Sequence, residues 1–285
     1  MTNFEQKKIE KQEKRAVDSP ARRAFLKKTK RKKGAVWGFR VGILVAILAF
    51  WEGAVRLGLL DPFMFSSPTR IALAIAGLYS NGTSFFNNSL TINIWTSLYE
   101  CVIGFVASMV IGALVAVALW WSESVRKILD PYIVVLNSLP KIALGPMIII
   151  WFGAGTKAII VMAILISVVV TILSVLNGFT ACDPDKILLL RSMGANKLQI
   201  LFKLVLPHSL PDMISALKIN VGLAWVGTIM GEYLVSRAGL GYLIVYGGTV
   251  FKIDLVMAST FILCVLAALM YGGVAMLEKS VTKNR

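Results

Sequence analysis

Residues Leu188–Pro211 read LLLRSMGANKLQILFKLVLPHSLP and lie between two long apolar runs. The stretch carries Arg191, Lys197 and Lys203, which keeps it out of the hydrocarbon of a bilayer. Apolar residues recur at helical spacing: Leu190 and Met193 before Gly194, Leu198 and Leu201 after it. That pattern predicts two short amphipathic helices with a break at Gly194. The apolar face of a short loop helix needs cover. A membrane surface can provide it, and so can a docking partner.

Outward from this loop the chain is overwhelmingly apolar. It has 285 residues, of which 57% are hydrophobic and 16% charged. Its mean hydropathy is +0.74. A soluble domain carries about 25% charged residues, so this is a polytopic membrane protein. Six runs are long enough to cross a hydrocarbon core of about 30 Å at roughly 1.5 Å per residue. They fall near 41–60, 97–120, 131–152, 157–178, 214–235 and 254–276. The expected fold class is all-α, with six transmembrane helices.

Charge orients the spans. Residues 1–40 hold 14 Lys/Arg against 4 Asp/Glu, a basic tail preceding a membrane domain at 41–285. With the tail inside, the inner segments hold 23 Lys/Arg and the outer ones only Arg70, Lys157, Arg237 and Lys252. The positive-inside bias therefore predicts cytoplasmic termini and a cytoplasmic loop at 179–213. The tail reads either as an arm for anionic lipid or as a solvated segment that fixes topology. Its long basic region, with no small-residue cleavage site after the apolar run, does not read as a signal peptide.

The third run contains Pro140, Gly145 and Pro146. Proline removes a backbone donor and clashes with the preceding turn, so this span is expected to kink or break. Freed backbone groups within a bilayer are tolerated only under protein or beside a water-filled cavity. Pro140, Lys141, Gly145 and Pro146 are thus candidates for a substrate pathway. A kink that serves packing alone is the other reading. Lys141 is expected either to face the bundle interior or to snorkel inward. Glu52 and Arg56 should pair at i,i+4. Glu100 and Glu232 are expected near the outer ends of their spans, reaching the interface. A short helix is expected near Thr69 to Tyr79, and a tight turn at Gly239-Leu240-Gly241-Tyr242 within an outer loop at 236–253.

Recognisable chemistry is sparse. The run Gly153-Ala-Gly155-Thr-Lys157 lacks the spacing of a phosphate loop, so the chain is not expected to hydrolyse ATP. Cys101, Cys182 and Cys264 form no C-x-x-C pair, and the one histidine, His208, is expected on the surface. Neither a metal site nor a disulfide framework is expected. No convergent catalytic cluster is evident.

The loop resembles the signature loop of bacterial ABC-importer permeases: Glu-Ala-Ala, three residues, Gly, nine residues, then Ile-x-Leu-Pro. Here Gly194 is followed by nine residues and then Leu204, Val205, Leu206 and Pro207. The Glu-Ala-Ala part departs from the pattern, because positions 188–190 are all Leu; Asp185 lies about one turn earlier. The resemblance extends to SLPKIALGPMIIIWFGAGTK (138–157) and INVGLAWVGTIMGEYLVSRAGLGYLI (219–244). These look like the permeases for nitrate, sulfonates, taurine and bicarbonate, of type I importer architecture.

The resemblance implies that Leu188, Leu189, Leu190, Gly194, Ala195, Leu204, Leu206 and Pro207 couple the permease to a cytoplasmic ATPase. It further implies two ATP-binding subunits, a second permease subunit read as an identical copy, and an extracytoplasmic solute-binding protein. The setting is a bacterial cell membrane; no cofactor and no nucleic acid are implied. A vitamin-precursor importer is the neighbouring alternative. An ion-coupled secondary transporter is a more distant one, because it would normally show paired intramembrane carboxylates.

Overall fold

A computed structural model describes residues 20–80, 89–235 and 237–282. All regular structure among the described residues is helical, with no strand among them. The chain divides into two compact units, residues 1–69 and 70–285.

In the first unit, α1 (Pro20–Arg56) includes the apolar segment Gly34–Arg56. Its backbone is helical from Pro20 onward, so residue 40 marks a change of charge and not a break in structure. Residues 1–19 of the basic tail lie outside the described residues. The expected Glu52–Arg56 pair forms at 2.7 Å. Glu52 also accepts from the Thr69 amide and hydroxyl, at 3.2 and 2.9 Å. Between them α2 (Pro62–Phe65) starts on Asp61, whose carboxylate accepts from the Phe63 amide. The expected short helix is α3 (Pro68–Ser80).

The second unit is a bundle around α7 (Thr156–Thr180), which packs between α4 (Ser89–Trp121) and α10 (Leu206–Val235). Small residues set the approach. A Cβ on Gly227 would fall 2.5 Å from Ala163 Cα, and one on Gly104 would fall 2.6 Å from Ala163 Cβ. Glycine lets both neighbouring helices close on Ala163, the packing mode that replaces the hydrophobic effect between helices in lipid. Polar side chains add directional contacts: Asn220 Nδ2 donates to Thr171 Oγ1 at 2.7 Å, both residues being fully buried.

The third span is broken, as the prolines require. It comprises α5 (Glu123–Ser138), a 3-10 turn (Lys141–Leu144) and α6 (Gly145–Phe152), bent by 84°. It begins eight residues earlier than the apolar run suggested, since Ser122 caps α5 by accepting from the Val125 amide at 3.4 Å. The last span is α12 (Ile253–Thr282). Among the described residues five helices are long and apolar enough to cross a membrane, or six with the bent pair counted as one span.

Candidate functional site

The loop between α7 and α10 is built by local capping. Asp183 accepts from the Asp185 amide at 3.0 Å and Pro184 takes the first turn, which starts α8 (Pro184–Ser192). Gly194, at φ +81°, ends it. The Ala195 amide donates to Leu190 O and the Gly194 amide to Arg191 O, each at 2.9 Å. This is a Schellman ending, whose left-handed residue favours glycine. Asn196 then opens α9 (Lys197–Ile200) with a capping box, its side chain accepting from the Gln199 amide while Gln199 Oε1 accepts from the Asn196 amide. A π-helical turn, Leu201–Val205, carries α9 directly into α10.

The apolar residues of the loop fall into two sets. Ile200, Leu201 and Val205 are buried in a core with Ala116, Val175 and Phe179. Leu190, Ala195, Leu204 and Leu206 pack against that core. Leu188, Leu189, Met193 and Leu198 stay exposed, at 65%, 60%, 74% and 53%. The stripe of Leu190, Met193, Leu198 and Leu201 expected from spacing is therefore split: its first and last members face the bundle and the middle two face away. The split falls on both sides of Gly194: in each short helical segment one apolar residue meets the bundle and another faces away, a choice of face that spacing alone does not make. Pro207 is half-buried and His208 exposed. An open pocket of about 640 Å³ lies at the base of α8, lined among others by Trp120, Arg126, Phe179, Leu188 and Arg191. Cys182, on its wall, is 3% exposed, and burial raises its thiol above the ordinary range, as suits an inert side chain.

The residues of the broken span lie together at the bend. Pro140 precedes the 3-10 turn, Lys141 begins it, and Gly145 and Pro146 begin α6. Lys141 Nζ donates to Asn137 O at 2.9 Å, so the ammonium caps the end of α5. Gly145 is buried against Leu234 of α10, whereas Pro140 and Pro146 are exposed.

At the opposite end of the bundle the structure corrects the sequence reading. Glu100 and Glu232 do not reach an interface; they are 1% and 2% exposed. The residues expected to form a plain outer loop instead fold into α11 (Leu240–Thr249), and the turn before it packs on the Glu232 carboxyl. Glu232 accepts from Ser97 Oγ and from the Gly241 amide, both at 2.5 Å. Ser97 Oγ accepts from the Leu240 amide at 2.7 Å, and Asn93 Oδ1 from the Gly239 amide at 2.6 Å. Gly239 sits at φ +118°, and a Cβ there would fall 2.5 Å from the Glu232 carboxyl. The Gly-Leu-Gly signal was visible in the sequence; its partner, a carboxyl on another helix, was not.

Known proteins resemble this chain in sequence and fold. Residues 108–283 match the family described as binding-protein-dependent transport system inner membrane component. The taurine transport system permease protein TauC of Escherichia coli (strain K12) is 28% identical over 245 residues, covering 85% of this chain and 88% of that protein. The formylaminopyrimidine transport permease protein ThiX of Halalkalibacterium halodurans is 29% identical, covering 81% and 90%. A chain of the inward-facing MetNI methionine ABC transporter superposes with a TM-score of 0.61 at 22% identity, covering 68% of this chain and 96% of that one. The all-helical fold is that of type I ABC importer permeases. The chain belongs to the binding-protein-dependent transport system inner membrane components, the multi-pass permease subunits of ABC importers.

Proposed function

We propose that this permease works as one of two identical subunits, moves a small organic anion of the sulfonate type, and docks one ATPase through the loop at 179–213. The observation that carries docking is the exposed set Leu188, Leu189 and Met193, held beside the rigid Gly194 turn. Exposed apolar side chains on a tightly capped loop suit a pocket in a partner better than solvent. Where the usual loop presents a glutamate, this one presents leucine, so its ATPase cleft is expected to be apolar at that point. ATP hydrolysis is assigned to that partner. The solute-binding protein would engage the opposite end, and the distribution of Lys and Arg supports a cytoplasmic position for both termini and the loop.

The sulfonate reading is supported by the names of relatives, among them TauC and the aliphatic sulfonate permease SsuC of Bacillus subtilis. The positive charge of Lys141 at the bend is in keeping with it. ThiX supports a second reading, import of a pyrimidine precursor. The test uses vesicles holding the permease, its ATPase and its binding protein. ATP-dependent uptake of taurine or an alkanesulfonate, without uptake of formylaminopyrimidine, is expected. The reverse preference would establish the second reading. Uptake driven by an ion gradient without ATP would overturn both.

A further inference from the structure

A polar cluster lies at the end of the bundle away from the loop proposed to dock the ATPase. Glu100 and Glu232 meet there, side chain to side chain. Two carboxylates in contact and out of water cannot both be ionised, because their repulsion adds to the desolvation cost of each. A basic side chain would change that balance. The groups facing the pair are Ser97 and Cys101 on α4, Thr156 on α7, Tyr233 on α10, and the amides of the turn. Among the described residues no Lys, Arg or His pairs with either carboxyl.

The donors are shared unequally. Glu232 has two, the Ser97 hydroxyl and the Gly241 amide. Glu100 has one, the Thr156 hydroxyl, and its Oε2 is buried without any partner. The better-solvated carboxyl keeps the charge, and the other is the acid. We infer that Glu100 and Glu232 form a one-proton site that fastens the Gly239–Gly241 turn to α4 and α10.

With the proton in place, Glu100 is a neutral O–H donor to Glu232, and Glu232 is oriented to accept from the turn. When Glu100 gives its proton to solvent, a second negative charge faces the first. Relief comes from moving Glu232 towards water. That movement breaks the bonds to Gly241 and Ser97, and Ser97 then loses its register with the Leu240 amide. Protonation latches the turn; deprotonation releases it. Raising the pH is therefore the releasing direction.

The test uses the full chain, with its ATPase, in lipid nanodiscs. Infrared spectra at neutral pH are expected to show a deuterium-sensitive carboxylic acid band in wild type that Glu100→Gln lacks. The Gln amide donates to Glu232 at every pH. Raising the pH should remove the band in wild type and speed hydrogen exchange at 239–241 by roughly tenfold beyond intrinsic base catalysis. Glu100→Gln should show no such acceleration. Absence of the band in wild type, its survival in Glu100→Gln, or identical exchange profiles in the two proteins would each overturn the site. Should Glu100→Gln fail to insert, wild type decides alone: the band and the latch must disappear over the same pH interval, and a turn indifferent to pH overturns the inference.

Discussion

Lys197, the first residue of α9, donates from Nζ to the main-chain carbonyl of Trp121, the last residue of α4, and its ammonium lies 5.3 Å from the centroid of the Trp121 ring. One side chain thus joins the coupling loop to the end of a span far away in sequence. The carbonyl at a helix C-terminus lacks an intrahelical donor and carries partial negative charge, so a cation suits it. Stacking over indole adds about 0.5–1 kcal/mol at an exposed site. The tie is positioned to pass a push on α9 directly to α4. Lys197→Met keeps the stem and removes the charge. It should leave membrane insertion and ATPase assembly intact and lower the solute moved per ATP hydrolysed. A wild-type ratio in Lys197→Met would remove this tie from the coupling route.

Gly194 has open space around its missing Cβ, with nothing within 4 Å, yet its φ is +81°. The demand at this position is therefore conformational in the isolated chain, costing an ordinary L-residue about 1–2 kcal/mol. Asn tolerates the left-handed region better than β-branched residues do. Gly194→Asn should keep more coupling than Gly194→Val, measured as solute-stimulated ATP hydrolysis. Gly194→Asp should insert normally but uncouple hydrolysis from transport or loosen the ATPase. Equal loss in the Asn and Val variants would move the cause from the backbone to contact with the partner.

The spans were legible because hydrophobic length and proline placement are local properties. Pro140, Gly145 and Pro146 announced a break, and an 84° bend is found there. Gly194 announced a turn for the same reason. What the sequence hid was long-range. Nothing local to Glu232 says that a turn after α10 folds back onto it, and the position of Glu100 and Glu232 near span ends suggested exposure. Likewise 236–253, with its turn at Gly239-Leu240-Gly241-Tyr242, read as a loop, although Leu240, Leu243 and Gly247 are buried residues of α11. The exposed and buried leucines of the loop at 179–213 were mixed in the sequence because both short helices carry apolar residues on more than one face, and spacing alone does not say which face meets the bundle.

Asn220 and Thr171 supply a measurable piece of bundle stability. Their hydrogen bond joins α10 to α7, and Asn220 also donates to Met109 Sδ at 3.2 Å. Interhelical hydrogen bonds in membranes average about 0.6 kcal/mol and reach roughly 1.7. Thr171→Val should destabilise the permease within that range, read from unfolding in detergent. Combined with Asn220→Leu, which removes the other partner, the cost should be less than additive. Strict additivity would mean the contact contributes nothing.

Leu189 reports on the loop's departure from the usual acidic pattern. It is 60% exposed and touches no buried core, so a charge there should not harm folding. If the facing ATPase cleft is apolar, Leu189→Glu should reduce co-purification of the ATPase while insertion is kept. Leu190→Glu is the contrast, because Leu190 packs against the core of Val175 and Phe179 and its loss should lower stability itself. Undiminished ATPase recovery with Leu189→Glu would leave Leu189 as a residue of the membrane surface.

Lys141 decides whether the broken span handles an anion. Its ammonium donates to Asn137 O, which accounts for one of three N–H groups and for its orientation along the end of α5. That bond alone would explain the residue as a cap, and a Gln amide could replace it without a charge. Lys141→Gln therefore separates the two roles. If the charge attracts solute, transport of sulfonates should fall while expression, ATPase docking and binding-protein affinity hold, and transport of neutral analogues should fall less. Long-range attraction through a wet pathway is screened, so the defect should deepen at low ionic strength relative to wild type. If Lys141 only caps α5, both solute classes should move at wild-type rates at every salt concentration. Uptake measured for both classes, at two salt concentrations, in the same vesicle preparation decides between the roles.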